Sequence, residues 1–122
     1  MYSAPYVKVW HMASATEDSG EKIELELRRG ALVLAVLSRL RKAEYGYSLR
    51  QALSARGMPI EEGTLYPLLR RLESQGLLAS EWRIEDGPPR RYYVLSPDGL
   101  KTYRELTKSW RALAATMAGL LD

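Results

Sequence analysis

One segment of the chain, Glu62–Glu73, divides into an apolar side and a polar side when it is placed on a helix. At ~100° of rotation per residue its leucines share one face, which holds Leu65, Leu68, Leu69 and Leu72. The remaining surface presents small, aromatic and cationic side chains, namely Gly63, Thr64, Tyr66, Pro67, Arg70, Arg71 and Ser74. A helix needs two such sides if its back packs on a protein core while its front meets DNA. We therefore interpret the segment as a recognition helix.

Composition limits the size and class of the fold. With 122 residues, of which 46% are hydrophobic, the chain is long enough for one compact domain and short for two. The formal net charge of +3 permits a polyanionic partner without requiring one. The absence of cysteine excludes a disulfide framework, a thiolate metal site and a thiol-based redox sensor. The longest apolar run, Ala31–Leu37, is far below the ~20 residues that span a bilayer, so we expect a soluble cytoplasmic protein with no membrane partner.

The segments before the recognition helix indicate a helix-turn-helix. From about Glu24 to Lys42 the pattern is helical and apolar over more than one stripe, which predicts a helix that is buried on two sides. Tyr45–Ser48 breaks this pattern, and a short amphipathic helix follows that Gly57 closes. Met58–Ile60 then forms a turn, and the recognition helix ends near Gly76. A short helix, a tight turn and a longer helix thus follow one another.

The rest of the chain predicts a two-stranded hairpin and a last helix. Ala79–Glu85 alternates, with Trp82 and Ile84 on one side, and a turn at Asp86–Pro89 joins it to a second strand at Arg90–Leu95. Ser96–Asp98 supplies an N-cap oxygen, a proline at the first helical position and an early acid. A hairpin directly after a helix-turn-helix fits the wing of a winged-helix domain. The predicted fold class is mainly α with a small β-hairpin (α+β).

Residues 1–22 lack the periodicity of a core-forming element. His11-Met12 matches the junction that a common cloning site leaves, so residues 1–11 are either vector-derived or a native arm in which Tyr6–Trp10 pairs as a short strand. We predict an N-terminal extension over residues 1–22, a winged helix-turn-helix over 23–95 and a C-terminal dimerisation helix over 96–122.

Several strings of this sequence resemble the PadR family of bacterial transcriptional regulators. They are Tyr45-Gly46-Tyr47, Gly63–Glu73, Gly76-Leu77-Leu78 and Arg90–Gly99. The resemblance covers roughly Leu27 to Leu121 and implies a winged helix-turn-helix followed by a helical region that forms a homodimer. It also implies a repressor of genes for detoxification, stress response or drug export. A single C-terminal helix places the chain with the compact subgroup, and the Pro88-Pro89 pair at the wing tip is a departure from the family pattern.

The predicted DNA contacts lie on the recognition helix and the wing. Hydrogen-bonding side chains read base edges while cations hold phosphates, and the helix offers both through Thr64, Tyr66, Arg70 and Arg71. Gly63 allows close approach, and Pro67 offers a rigid apolar surface for a thymine methyl group. The alternatives are a solvated helix face for the two arginines and burial against the first helix for Tyr66.

Neighbouring charged residues constrain how these elements approach DNA. In the wing, Arg90 and Arg91 alternate in direction, so one points outward while the other pairs with a carboxylate such as Glu81 or Glu85. Glu61 and Glu62 would repel phosphate, so we expect them to cap the helix or to face a base edge. A dimer places two recognition helices ~34 Å apart, which predicts an inverted-repeat operator in double-stranded DNA.

The last helix carries a wider apolar surface than packing on one domain requires, which indicates a dimer interface. Its predicted members are Leu106, Trp110, Leu113, Met117 and Leu120. In compact drug-sensing PadR-like proteins a tryptophan of this helix stacks on planar hydrophobic ligands, and the matching residues here are Ser109-Trp110. The resemblance therefore implies an effector pocket between subunits, lined by Ala31, Ala35, Trp110 and Ala114. The alternative is that Trp110 is plain interface core.

Nothing in the sequence indicates catalysis, a metal or a cofactor. His11 is the only histidine, and there is neither a cysteine nucleophile nor a glycine-rich phosphate loop. Glu81, Glu85 and Asp86 are too sparse for a metal cage. The alternative function is a winged-helix module for protein-protein interaction, since the fold alone does not secure DNA binding.

Overall fold

A computed structural model describes residues 17–122 of the chain. Four helices and three strands follow in the order α1 (Glu17–Arg39), β1 (Glu44–Tyr45), α2 (Gly46–Ala55), α3 (Glu62–Ser74), β2 (Leu78–Arg83), β3 (Arg90–Leu95) and α4 (Pro97–Leu121). This confirms the predicted α+β class, with the helix-turn-helix formed by α2 and α3 and the hairpin by β2 and β3. The strand considered for Tyr6–Trp10 and the His11-Met12 junction lie outside the described residues.

The sheet has one strand that the sequence did not predict. The order is β1-β3-β2, and both pairings are antiparallel. β1 pairs with β3 through Glu44 opposite Tyr93 and Tyr45 opposite Tyr92. The predicted break between the first two helices is present, but it ends at Tyr45, because Gly46–Ser48 already belong to α2. A two-residue strand shows no alternation of its own and forms only because β3 offers it an edge.

The core lies where the helices meet the base of the sheet. α3 contributes the leucines that were predicted for its inner face, and all four are buried. Within residues 17–122 the buried hydrophobic side chains are Val36, Leu37, Leu40, Leu49, Leu53, Ile60, Leu65, Leu68, Leu69, Leu72, Leu78 and Tyr93.

α1 differs from its prediction in position and in burial. It begins at Glu17 rather than near Glu24, and residues 18–30 are exposed. Leu27, for example, is 78% exposed although it belongs to the periodic pattern. The part from Ala31 onward contributes to the core, whereas the preceding turns of α1 lie across an open groove from the α2–α3 turn.

Two junctions set the directions of β2 and α4. Gly76, with φ of 79°, lies just after α3 and adopts the left-handed conformation that favours glycine. Ser96 caps α4 as predicted, since its Oγ atom accepts a hydrogen bond of 2.9 Å from the Gly99 N–H. Gly99 packs directly against the Leu77 carbonyl, so the start of α4 is held on the linker between α3 and β2.

Within residues 17–122 no helix combines the length and apolarity needed to cross a membrane.

Candidate nucleic-acid interface

The outer face of α3 is a continuous exposed surface. Gly63, Thr64, Pro67, Arg70 and Arg71 are all exposed, whereas the leucines behind them are buried. A Cβ atom built at Gly63 meets nothing within 4 Å, so another molecule can approach the backbone there. Neither arginine side chain forms an ion pair with an acidic residue of the described chain. The two guanidinium groups are therefore available to a polyanion.

Tyr66 occupies a different position from the rest of this face. It is half-buried and packs against the core cluster. Its ring lies beside Gly46, and a Cβ atom built there would be 2.5 Å from both Cε1 and Oη of Tyr66. The burial considered for Tyr66 is thus present, and its ring also contacts Gly46 at the start of α2.

The acidic start of α3 is partly neutralised within the fold. Glu62 Oε1 pairs with Arg50 Nη1 at 2.9 Å, and Arg50 Nε donates to the Ile60 carbonyl at 3.1 Å. Arg50 thereby ties α2 to the turn before α3. Glu61 is the N-cap residue, but its side chain makes no capping hydrogen bond, so the expected capping role was wrong for Glu61.

One face of the wing combines arginines with tyrosines. The Arg90 guanidinium lies 4.5 Å from the centre of the Tyr45 ring, and that of Arg83 lies 4.2 Å from the Tyr92 ring. Stacking on a neutral aromatic ring orients a cation without neutralising its charge. Arg90 is exposed, so it is the outward-pointing member of the Arg90–Arg91 pair.

Arg91 points the other way, toward α3. Its Nη2 atom pairs with Glu73 Oε1 at 2.8 Å, and its Nε atom donates to Ser80 Oγ at 3.0 Å. A carboxylate partner was predicted for one wing arginine, but the predicted identity was wrong because the partner is Glu73 of α3. Glu81 instead pairs with Arg83 at 2.8 Å.

Tyr93 lies beneath this ion pair at the base of the wing. Its side chain is 4% exposed, and the Arg91 guanidinium is 5.5 Å from its ring centre. Burial raises the pKa of the Tyr93 phenol above its ordinary value, and the nearby Arg91 charge opposes that shift. The neutral phenol is therefore favoured at the junction of wing and core.

From Leu106 onward, α4 presents an exposed apolar stripe. Trp110 is 47% exposed and Leu113 is 54% exposed, and the stripe also contains Leu106, Met117 and Leu120. These are the residues predicted for a dimer interface. Their exposure in the single chain leaves a surface that a second molecule can cover.

The residues predicted for an effector pocket are divided between two environments. Ala31 and Ala35 are half-buried on α1, whereas Trp110 and Ala114 are exposed on α4. None of the four lines the open groove of about 760 Å³ that runs between α1 and the α2–α3 turn. In the part of the chain that the structure describes, no group of three or more acidic or histidine side chains is placed to hold a metal ion.

Sequence reasoning missed the residues that support this interface. Arg50, Gly46, Tyr45, Glu73 and Ser80 each contact a side chain or turn of another element. From sequence alone, a single acidic residue near a helix end, such as Glu73, is expected to be exposed to solvent. Its partner Arg91 lies 18 residues later, in a strand. No local pattern identifies such a pair.

Comparison with known proteins finds sequence matches to a family model and to a curated relative. The model of the transcriptional regulator PadR-like family matches residues 33–105. The chain is 40% identical over 95 residues to "Transcriptional regulator Rv3488" of Mycobacterium tuberculosis, a match that covers 77% of this chain and 89% of that protein.

Solved structures give the same result. A PadR family transcriptional regulator from Eggerthella lenta is similar with 50% identity and a TM-score of 0.79, covering 87% of this chain and 95% of that one. A PadR-like transcriptional regulator from Bacillus cereus has 30% identity and a TM-score of 0.71, covering 80% of this chain and 97% of that one. The likeness therefore includes α3, the wing and α4.

Proposed function

Because this chain belongs to the PadR-like family of transcriptional regulators, whose members bind DNA, we propose that it is a repressor that binds an inverted-repeat operator as a homodimer. The family consists of regulators and not of enzymes, which agrees with the lack of a catalytic pattern in the sequence. We assign DNA binding to residues 23–95 and dimerisation to residues 96–122.

The observation that carries the proposal is the exposed outer face of α3. A major groove about 12 Å wide admits one helix. α3 presents two exposed guanidinium groups, at Arg70 and Arg71, that form no ion pair within residues 17–122 and are available for phosphates or guanine edges. Thr64 adds a hydroxyl group, and Gly63 removes bulk where the helix backbone would approach the bases. The buried leucines behind this face hold the helix rigid against the core.

The wing supports the same mode of binding. Arg90 projects from the first position of β3, and its charge is oriented by Tyr45. A cation beside the recognition helix suits a phosphate or the adjoining minor groove. We place Tyr66 as a support for α3, since both its ring and its hydroxyl group lie against Gly46.

Dimerisation is proposed from the α4 stripe. Large apolar side chains repeat along one side of this helix and are exposed in the single chain. Packing two such stripes together removes them from water and places two α3 helices on one side of the dimer. Two half-sites about one helical turn apart, ~34 Å, then form an inverted repeat. Trp110 at this interface is our candidate for contact with a planar hydrophobic effector.

The test begins with selection of bound sequences from a random duplex library by the purified protein. Affinity for the selected duplex and for a scrambled duplex is then measured by fluorescence anisotropy across a salt series. We expect tighter binding to the selected duplex, with log K falling against log salt at a slope of about −0.9 per phosphate contact. The double substitution Arg70→Ala with Arg71→Ala should cost about 1–3 kcal/mol per lost contact.

A matched control removes two cations from α4 instead. Arg104→Ala with Lys108→Ala changes the net charge equally and leaves α3 intact, and both residues are exposed. We expect this control to bind the selected duplex as the unmodified protein does. If the α3 variant stays folded and keeps full affinity, the recognition-helix assignment is wrong. If no sequence is enriched, a protein-interaction module becomes the better description.

A further inference from the structure

We infer that Glu73, Ser80 and Arg91 form a strut that positions the wing against the recognition helix, and that Arg91 serves the strut instead of contacting DNA. The inference rests on the proposed function and deepens it. It assigns specificity for the operator to residues that do not touch the operator.

The three side chains close a triangle between three elements. Glu73 belongs to the last turn of α3, Ser80 to β2 and Arg91 to β3. Glu73 Oε1 accepts from Arg91 Nη2 at 2.8 Å, and Glu73 Oε2 accepts from Ser80 Oγ at 2.5 Å. The Ser80 hydroxyl in turn accepts from Arg91 Nε at 3.0 Å. Each side chain therefore bonds to the other two.

The triangle commits one edge of the Arg91 guanidinium group to partners within the chain. Both oxygens of the Glu73 carboxylate and two nitrogens of the Arg91 guanidinium are committed to partners within the chain. Planar guanidinium and carboxylate groups fix each other's orientation as well as their distance. The Arg91 charge is neutralised at its own position, in contrast to Arg90, which stacks on a neutral ring.

The strut lies where the wing leaves the core. On the inner face of β2, Leu78 is buried and Ser80 is half-buried, while Trp82 is 63% exposed. Ile84, beyond the strand end, is 78% exposed. Apolar packing therefore fixes the base of the hairpin, and the triangle fixes the next position outward. Removing it loosens the outer wing relative to α3, while the pairing of β1 with β3 and the stacking of Arg90 on Tyr45 remain.

A mobile wing must be ordered when DNA binds, and this ordering lowers affinity. The loss falls on specific binding, because only the specific complex needs α3 and the wing at one fixed spacing. Non-specific binding depends on net charge and tolerates many arrangements. A carboxylate at Glu73 is costly near phosphate, so its removal should tighten DNA binding unless the carboxylate has a structural purpose. Removal of the Glu73 carboxylate should therefore weaken specific DNA binding if the strut exists and tighten it if it does not.

The experiment measures Glu73→Gln by anisotropy on the duplex selected by the unmodified protein and on a scrambled duplex, across a salt series. We expect specific affinity to fall by about tenfold or more, as loss of a charged hydrogen bond entails, while the salt slope stays the same. Affinity for the scrambled duplex should be equal or slightly higher. Arg91→Gln should show the same loss and the same slope. The double variant should bind no more weakly than Arg91→Gln alone.

Glu81→Gln is the matched control. It removes a carboxylate from the wing that pairs with Arg83 within the same strand and does not reach α3. We expect no loss of specific affinity. Ser80→Ala provides a milder variant of the strut, expected to cost about threefold, and circular dichroism melts of all variants confirm folding.

Two results would overturn the strut. One is Glu73→Gln binding the selected duplex as tightly as, or more tightly than, the unmodified protein. The other is a decrease of about 0.9 in the salt slope for Arg91→Gln, which is the signature of a lost phosphate contact. Failure of the unmodified protein to enrich any sequence would instead refute the proposed function, and the strut with it.

Discussion

The Tyr66 ring lies so close to Gly46 that a Cβ atom at position 46 would be 2.5 Å from Cε1 and 2.7 Å from Cζ of that ring. Gly46 is the first residue of α2 and is buried. The glycine is needed for space and not for a left-handed backbone, since its φ is not positive. The contact sets the distance between the two helices of the helix-turn-helix.

Gly46→Ala should therefore destabilise the protein. Forcing a methyl group into this contact displaces the Tyr66 ring or separates α2 from α3, which we expect to cost about 1–3 kcal/mol in the free energy of unfolding. Urea denaturation followed by circular dichroism measures it. Tyr66→Ala in the same chain should remove most of the additional cost of Gly46→Ala. A Gly46→Ala variant as stable as the unmodified protein would mean that the ring moves aside freely.

Gly63→Ala should separate stability from DNA binding. Gly63 is an exposed helical residue with open space around it, so alanine should stabilise α3 by up to about 1 kcal/mol. The added methyl group lies on the face that we propose to enter the major groove, so specific affinity should fall. A thermal melt and anisotropy on the selected duplex test the two effects. Unchanged affinity would show that this part of α3 does not approach the bases.

Leu113→Glu should break the proposed homodimer. Leu113 lies in the middle of the exposed stripe of α4, and a carboxylate there cannot be buried against a second apolar stripe without a large desolvation cost. Size-exclusion chromatography with light scattering should report a monomer. Lys108→Glu, on the opposite side of the same helix, should stay dimeric. Equal masses for the two variants would place the interface elsewhere.

Trp110→Ala tests the effector proposal. A planar cationic dye such as ethidium should quench tryptophan emission if it stacks on the Trp110 ring. Dye affinity, measured by the fluorescence of the dye, should fall about tenfold or more if stacking contributes the ~1.4 kcal/mol that a tenfold change represents. Trp82→Phe controls for quenching at the wing. Equal dye affinity in Trp110→Ala would leave that residue as ordinary interface.

The buried Tyr93 phenol predicts how stability changes at alkaline pH. Its pKa is raised in the folded state by burial, so the unfolded chain releases this proton first as pH increases. Its contribution is complete below the ordinary tyrosine pKa of about 10 and is lost as pH rises from there toward the folded value. Urea melts from pH 8 to 11 should show a steeper decline for the unmodified protein than for Tyr93→Phe. Parallel declines would refute the linkage.

Local pattern was enough to predict the helices, the hairpin and the inner face of α3. The four leucines of α3 repeat at helical spacing, and a helix with such a stripe has to bury it. Ser96 was likewise predicted as a helix cap from local sequence, because its partner Gly99 is only three residues away. The start of α1 and the strand β1 were not predicted. The first turns of α1 are exposed, so no buried apolar stripe marks where the helix begins. The strand β1 forms because β3 supplies an edge for it to pair with.

The residues of the candidate nucleic-acid interface also fall into two groups, those predictable from local sequence and those that depend on distant contacts. Sequence by itself determined which side chains lie on the exposed face of α3, since that follows from rotation along a single helix. Only the tertiary structure decided the orientation of Arg91, which depends on Glu73, 18 residues away in the chain. It likewise decided that Tyr66 contacts Gly46, 20 positions earlier. Contacts of this range arise when packed elements bring distant residues together, and periodicity carries no information about them.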